Sequence, residues 1–295
     1  MHQEQIRVGE ISIPLLIKSL REKGWVLLPP HPNGIGRMRT ITELLCRSIL
    51  PSTGRESYGE KFPEGDFHHA PFGRKAVLGH SERAHAPSGP VPDLCFFLSI
   101  SSTPLENGGH LTVTDGERIL DILPTELVNR LRQEGVSYQM KWEPKRWEEE
   151  FQHRSKQELT AWMANHPDIT HQWDGNNLLL SWRTCALRRS WTSGREAFAN
   201  GILAHLPEIP HEINDANNIF CRSSNGVSWR DGSSLTKPEI MAMIHAHEHS
   251  LQIVPMQPGQ MIIIDNTRTL HGRTAAAQDV GRELVCRFGL RAAHL

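Results

Sequence analysis

Apolar residues recur at helical spacing near the start of the chain. Between Ser12 and Lys23, Leu15, Leu16 and Leu20 fall on one face, Pro14 stands in the first turn and Gly24 follows the last. This pattern predicts an amphipathic helix. Trp25–Leu28 reads as a strand ended by Pro29-Pro30, and Arg37–Leu50 as a second helix. The apolar runs within Asp93–Ile100 and Met261–Asp265 have strand length and fall far below a membrane span. Further strands are predicted at Ala76–Gly79, Leu111–Thr114, Val136–Trp142, Leu178–Arg183, Ile219–Arg222, Leu251–Val254 and Arg282–Leu290. Helices are expected from a cap at Asp115 to about Gln133, over 144–165, near Arg195–Leu206 and over Lys237–His249. Residues 51–75, rich in Gly, Pro, His and charge, read as a long functional loop. Many short strands, with helices in front and in one long insert, predict a β-sandwich or jelly roll. We expect one domain over 1–295, with an α/β insert at about 116–250.

Composition narrows the class. The chain has 295 residues, 38% of them hydrophobic, enough to bury a full core. Lys and Arg number 32 against 33 Asp and Glu, a net charge of −1. That balance argues against a nucleic-acid or anionic-membrane binder, which carries a basic excess. The five cysteines are widely spaced and form no C-x-x-C pair, so a disulfide framework is not expected and a reducing cytoplasm fits. The first residues, MHQEQIRVGE, lack the basic-then-apolar pattern of a secretion signal. Histidines number 17, which raises the prospect of metal or acid–base chemistry.

One constellation stands out. In an extended segment, residues two apart point to the same side, so His80 and Glu82 can offer an imidazole and a carboxylate to one metal ion. A third ligand must come from elsewhere, and His271, after the β-run ending at Asp265, is the best candidate. Two His and one carboxylate on one face, with other positions open, is the site of non-haem Fe(II) oxygenases. Asp265 and Asn266 read as turn-forming, hydrogen-bonding residues. A rival cluster lies in His245-Ala-His247-Glu248-His249. There the i, i+4 pair His245/His249 would suit a zinc hydrolase, but no H-E-x-x-H and no third ligand accompany it. His68 and His69 are candidates for the site entrance, and a Trp such as Trp229 for a pocket wall.

Four segments together are specific. They are His80-Ser81-Glu82 before the strand at 93–100; Glu106-Asn-Gly-Gly109 leading to Thr114-Asp115; Asp231-Gly232-Ser233 and the later Pro258-Gly259 through Asp265-Asn266; and Arg268-Thr-Leu-His271-Gly272-Arg273-Thr274 followed by Arg282. In these the chain resembles the taurine dioxygenase/TfdA-like superfamily of Fe(II)- and 2-oxoglutarate-dependent dioxygenases. It is most similar to the clavaminate-synthase-like and syringomycin-type hydroxylase branch. The resemblance implies a double-stranded β-helix (jelly roll), with Fe(II), 2-oxoglutarate and O2 as cofactor and co-substrates. It implies His80, Glu82 and His271 as iron ligands. H-x-E matches the clavaminate-like branch, and the carboxylate argues against halogenation, which needs that position open for chloride.

The resemblance further implies that Arg282, eleven residues after His271, clamps the distal carboxylate of 2-oxoglutarate. Leu111 stands where relatives carry a helping Thr, so Thr112 or Thr114 is expected to substitute. Arg287 competes with Arg282 and, with His69 and Trp229, is a candidate for substrate contact. The implied reaction is hydroxylation of an unactivated C–H bond in a small molecule. The branch points to an amino acid or an amino-acid-derived natural-product intermediate, free or carrier-bound. A taurine- or alkylsulfonate-type catabolic role, or desaturation or cyclisation at the same site, are the alternatives.

Overall fold

The computed structural model describes residues 7–8, 11–50, 67–70, 73–151, 154–206, 226–277 and 281–295. Two short strands, β1 (Arg7–Val8) and β2 (Ile11–Ser12), precede helix α1 (Ile13–Lys23), strand β3 (Trp25–Leu28), helix α2 (Gly34–Leu45) and strand β4 (Cys46–Ile49). Then come β5 (His68–His69), β6 (Val77–His80), β7 (Leu94–Ser101), β8 (Leu111–Asp115), α3 (Gly116–Ile122), α4 (Thr125–Glu134) and β9 (Val136–Trp142). The insert continues through α5 (Pro144–Glu150), α6 (Lys156–Ala164), β10 (Ile169–Asp174), β11 (Asn177–Thr184), β12 (Leu187–Arg189), β13 (Glu196–Phe198), β14 (Gly226–Trp229) and α7 (Lys237–Ser250). Strands β15 (Leu251–Val254), β16 (Met261–Asp265), β17 (Thr269–Arg273) and β18 (Glu283–Arg291) complete the order.

Two sheets carry the architecture, a jelly roll without full barrel closure. The larger runs β3-β16-β7-β18-β4, with β5 also on β18, and the smaller runs β15-β8-β17-β6. Alternation along the strands sorts side chains between faces. Cys95, Phe97, Ile262, Ile264, Leu284, Cys286 and Phe288 point inward, where they meet Leu111 and Val113 of the smaller sheet. Leu94, Phe96, Leu98, Met261, Ile263 and Val285 point outward and are covered by Leu16 and Leu20 of α1 and Met38, Ile41 and Leu45 of α2. On the outer side of the smaller sheet, the insert builds its own core on β9, β11 and β14, which Leu270 of β17 joins.

Local chemistry explains most of the element boundaries. Helix α1 ends where Gly24 adopts φ 76°, a left-handed conformation that glycine takes without strain. Asp115 caps α3 by accepting from the Glu117 N–H at 3.0 Å. The helix expected to reach Gln133 is broken at Leu123-Pro124, since Pro124 has no N–H to continue it. Residues 144–165 likewise form two helices, the second opened by a Ser155/Glu158 capping box. A matching box, Thr236 with Glu239, opens α7.

Two helix expectations are corrected. Helix α2 starts earlier than Arg37, where the Asn33 side chain accepts from the Gly36 N–H at 3.0 Å, and it stops at Leu45. Cys46–Ile49 is drawn into the large sheet instead, with Ile49 opposite Gly289. Near Arg195–Leu206 there is no long helix but a hairpin strand, Glu196–Phe198, and a short 3-10 turn at Leu203–His205. Turn chemistry decides this: the Ser190 hydroxyl accepts from the N–H groups of Thr192 and Ser193, and Gly194 sits at φ 75°. The strand expected at Ile219–Arg222 and most of the 51–75 loop lie outside the described residues. Cys46, Cys95, Cys185 and Cys286 are free thiols. No helix among the described residues is long and apolar enough to cross a membrane.

Candidate active site

Antiparallel pairing brings the two candidate histidines together. His271 of β17 lies directly opposite His80 of β6, and their ring centroids are 4.5 Å apart. On its other side His271 pairs with Val113, whose side chain belongs to the inner core, so the imidazole faces the space between the sheets. Its ring is 5.0 Å from that of Phe97 on the opposing sheet. Glu82 leaves the strand and enters a tight turn, reversed by Arg83 at φ 58°, an uncommon conformation for a residue with a Cβ. Its Oε2 reaches 3.5 Å from His271 Nε2 and 3.9 Å from His80 Nε2. All three ligand atoms lie within 4.8 Å of one another, the one such group of three among the described residues.

Neighbouring groups hold this arrangement. Asn266 grips the turn from both sides: its Oδ1 accepts from the Glu82 N–H at 2.6 Å and its Nδ2 donates to the Glu82 carbonyl at 3.0 Å. Nδ2 also donates to the Pro92 carbonyl at 2.9 Å, and the Ser81 hydroxyl donates to the Asn266 carbonyl at 2.7 Å. Asp265 is buried and accepts from the hydroxyls of Ser190 (3.1 Å), Thr192 (2.6 Å) and Thr267 (2.5 Å), which fixes the loop entering β17. Both residues are thus the hydrogen-bonding turn formers that the sequence suggested. Burial, then the charge of His271, pushes the His80 imidazole down to about 4, so it is neutral at physiological pH. Its Nδ1 lies 3.2 Å from the Leu78 carbonyl, a bond that puts the proton on Nδ1 and leaves the Nε2 lone pair facing Glu82. Two imidazoles and a carboxylate that converge, Glu82 and His271 buried and His80 partly so, suit a divalent iron.

Arg282 stands just before β18, in a narrow recess shared with Ser99, Ser101, Thr103, His110 and Leu111. It is half-buried, and no carboxylate pairs with it among the described residues. Burial, then the charge of Arg273, pushes it down to about 10, still a cation at neutral pH. A charged guanidinium in such a recess is a seat for an anion.

Other expected contacts are not brought to this site. Thr112 and Thr114 pair with Gly272 and Leu270, positions flanking His271, and so occupy the face turned toward the insert. The recess is lined instead by Leu111, with serine and threonine hydroxyls from and beyond β7. Arg287 lies on the outer face of β18, where it donates to the Thr42 hydroxyl and stands 4.5 Å over the Phe67 ring. His69 pairs with Val285 and binds Glu283 at 3.1 Å on that same outer face. Its neighbour His68, opposite Cys286, faces inward instead. Trp229 is fully buried in the insert core, hydrogen-bonded to Glu239 at 3.3 Å and stacked under Arg130 at 4.1 Å. His245 and His249 stack at 3.9 Å on α7, with no third ligand beside them among the described residues.

The fold supplies residues that no sequence signal marked. His205, from the 3-10 turn, bears electrostatically on His80; its ring is 4.1 Å from that of His85 and 5.5 Å from that of Tyr138. Tyr138 accepts from the Gly201 N–H at 3.0 Å. His205 and Tyr138 come from the insert, and His85 from the turn that begins at Glu82.

The sequence profile of the family described as "Taurine catabolism dioxygenase TauD, TfdA family" matches residues 20–287. Among solved structures, the chain is similar to an asparagine oxygenase in complex with Fe(II), 2S,3S-3-hydroxyasparagine and succinate. The TM-score is 0.53 at 15% identity, over 93% of this chain and 77% of the other. It is also similar to PvcB of Pseudomonas aeruginosa, an Fe, alpha-ketoglutarate dependent oxygenase from an isonitrile synthetic pathway, with TM-score 0.55, 13% identity and 98% and 84% coverage. A taurine dioxygenase from Burkholderia xenovorans gives 0.54 at 11% identity, over 98% and 83%. A search of curated proteins by sequence finds no match.

Proposed function

Because the chain belongs to the taurine catabolism dioxygenase TauD, TfdA family, we propose that it hydroxylates an unactivated C–H bond of an amino acid or amino-acid-derived intermediate, with iron held by His80, Glu82 and His271. It is an Fe(II)- and 2-oxoglutarate-dependent dioxygenase that consumes O2. The observation that carries the site assignment is the convergence of the three ligand atoms within 4.8 Å on the inner face of the sheet. Iron, when bound, supplies the redox chemistry that couples decarboxylation of 2-oxoglutarate to oxidation of the substrate.

The chain's own residues do the rest. Arg282 takes the distal carboxylate of 2-oxoglutarate in its recess. Phe97, Phe288 and Leu284 exclude water from the inner face. His205, which bears on His80, and His85 packed against it supply the polar groups on the insert side of the site. The amino-acid class is supported by the likeness to asparagine oxygenase. Presentation on a carrier protein belongs to the same reading, as does a single functional unit spanning the chain.

The test is a panel of amino acids and alkylsulfonates incubated with Fe(II), 2-oxoglutarate and O2, scored by succinate. We expect an amino acid to yield succinate and a product heavier by one oxygen. Sulfite release from an alkylsulfonate, with no coupled amino acid, would overturn the substrate class. A halogenated product in excess chloride or bromide would overturn Glu82 as a ligand.

A further inference from the structure

The histidine-rich stretch of α7 contains one residue that the metal reading leaves unused. His247 is 1% exposed, and its Nε2 accepts from the backbone N–H of Gly79 at 3.1 Å. Gly79 is the residue before His80. We propose that His247 is a positioning residue for the metal centre: it clamps the edge strand β6 at Gly79 and so fixes the place and direction of the His80 imidazole.

Strand β6 needs such a clamp. It lies at the edge of the smaller sheet and, among the described residues, pairs only with β17, whose register shifts between His271 and Arg273. The ladder is therefore least regular beside the residues that must meet most closely. An unpaired N–H at a strand edge, buried under the insert, is costly unless an acceptor reaches it. The His247 ring provides that acceptor only as a neutral imidazole, and burial keeps it so, pushing it down to about 4. Among the described residues its Nδ1 has no hydrogen bond, so the Gly79 contact is the ring's one polar tie.

Glycine at 79 is part of the same device. A Cβ there would lie 2.5 Å from His247 Nε2 and 3.2 Å from Leu270 Cβ. The ring occupies the space that any other residue would fill. The insert thus contributes to the metal site without donating a ligand: α7 sets the strand, and the strand sets His80.

The inference rests on His80 being a ligand, and the experiment separates the two. Mn(II) affinity is measured by calorimetry on the full chain, together with thermal midpoints and the visible band of the anaerobic Fe(II)–2-oxoglutarate complex. His247→Leu leaves the Gly79 N–H without an acceptor; strand β6 relaxes, and metal binding must draw it back. We expect Mn(II) binding about tenfold weaker, an effect of about 1.4 kcal/mol, and a shifted band. His247→Gln, whose amide oxygen can accept from Gly79, should bind Mn(II) within about threefold of wild type. Gly79→Ala should match His247→Leu, and the double variant should lose no more than either alone.

If His247→Leu binds Mn(II) with unchanged affinity and band while His80→Ala does not bind it, this inference fails and the metal reading stands. If His247→Gln is as weak as His247→Leu, the ring acts through packing alone and the clamp is refuted. If His80→Ala keeps full Mn(II) affinity, both readings fall.

Discussion

Arg282, just before β18, and Arg287, within it, stand five residues apart, yet they belong to different parts of the molecule. Arg282 looks into the recess between the sheets and has no carboxylate partner among the described residues. Arg287 points the other way, bonded to Thr42 of α2 and stacked over Phe67. Within a regular strand successive side chains alternate between faces, so Arg287 shares the outer face with Val285, while Arg282 precedes a register shift at Glu283/Leu284 and is placed by its recess. The same parity divides Val113 from Thr112 and Thr114 on β8, and His68 from His69 on β5. On the inner face His271 meets His80 and Glu82, whereas on the outer face Arg287 is engaged by Thr42 and Phe67 and His69 by Glu283. A cation with no carboxylate partner among the described residues and a cation bonded to Thr42 and Phe67 differ in what their removal should do.

The largest effect is expected at the centre of the inner face. Replacing His80, Glu82 or His271 by Ala should abolish turnover and strongly weaken Fe(II) binding, checked by titration under anaerobic conditions. The double variant His80→Ala/His271→Ala keeping wild-type metal affinity would contradict the assignment and return attention to His245 and His249.

Next comes the pair of arginines itself. Removing one member of a buried charged pair costs about 2–5 kcal/mol, so Arg282→Ala should raise the apparent 2-oxoglutarate constant roughly 30-fold or more. Iron binding should be nearly unchanged. Arg282→Lys should recover only part, since an ammonium lacks the two-pronged geometry. Arg287→Ala should leave the 2-oxoglutarate constant within about twofold while lowering stability by about 2 kcal/mol, from a lost hydrogen bond and a lost cation–π contact. A larger 2-oxoglutarate defect in Arg287→Ala would reverse the comparison of faces.

Asn266 tests whether the inner face is held from behind. Asn266→Ala leaves the Glu82 N–H and carbonyl without their side-chain partners. A loss of about 1–3 kcal/mol in unfolding free energy is expected, with weaker Fe(II) binding because the Glu82 turn is no longer gripped. Unchanged metal affinity at lowered stability would confine Asn266 to folding.

The smallest effect belongs to β8. Thr112 faces Gly272 and the insert rather than the recess, so Thr112→Val should leave the 2-oxoglutarate constant within about twofold. A tenfold rise, measured by succinate formation, would return this threonine to the carboxylate.

Much of this protein was legible in one dimension because its physics is local. Gly24 ends α1, Asp115 caps α3, and the apolar runs of β7 and β16 have the length and composition of buried strands. The spacing of His80 and Glu82, with the block around His271, carried the chemistry, since a two-residue interval and a turn motif are written in consecutive residues. Tertiary structure alone decided the rest. It placed His271 opposite His80 through pairing between segments almost two hundred residues apart, drew Cys46–Ile49 out of a helix and into a sheet, and chose which face each residue of β8 and β18 shows the interior. It also brought His247 from α7 onto Gly79. Helix caps and strand periods act over a few residues, where the sequence holds all the interacting groups. Register, facing and second contacts come from packing between distant segments, which only the folded chain brings within reach.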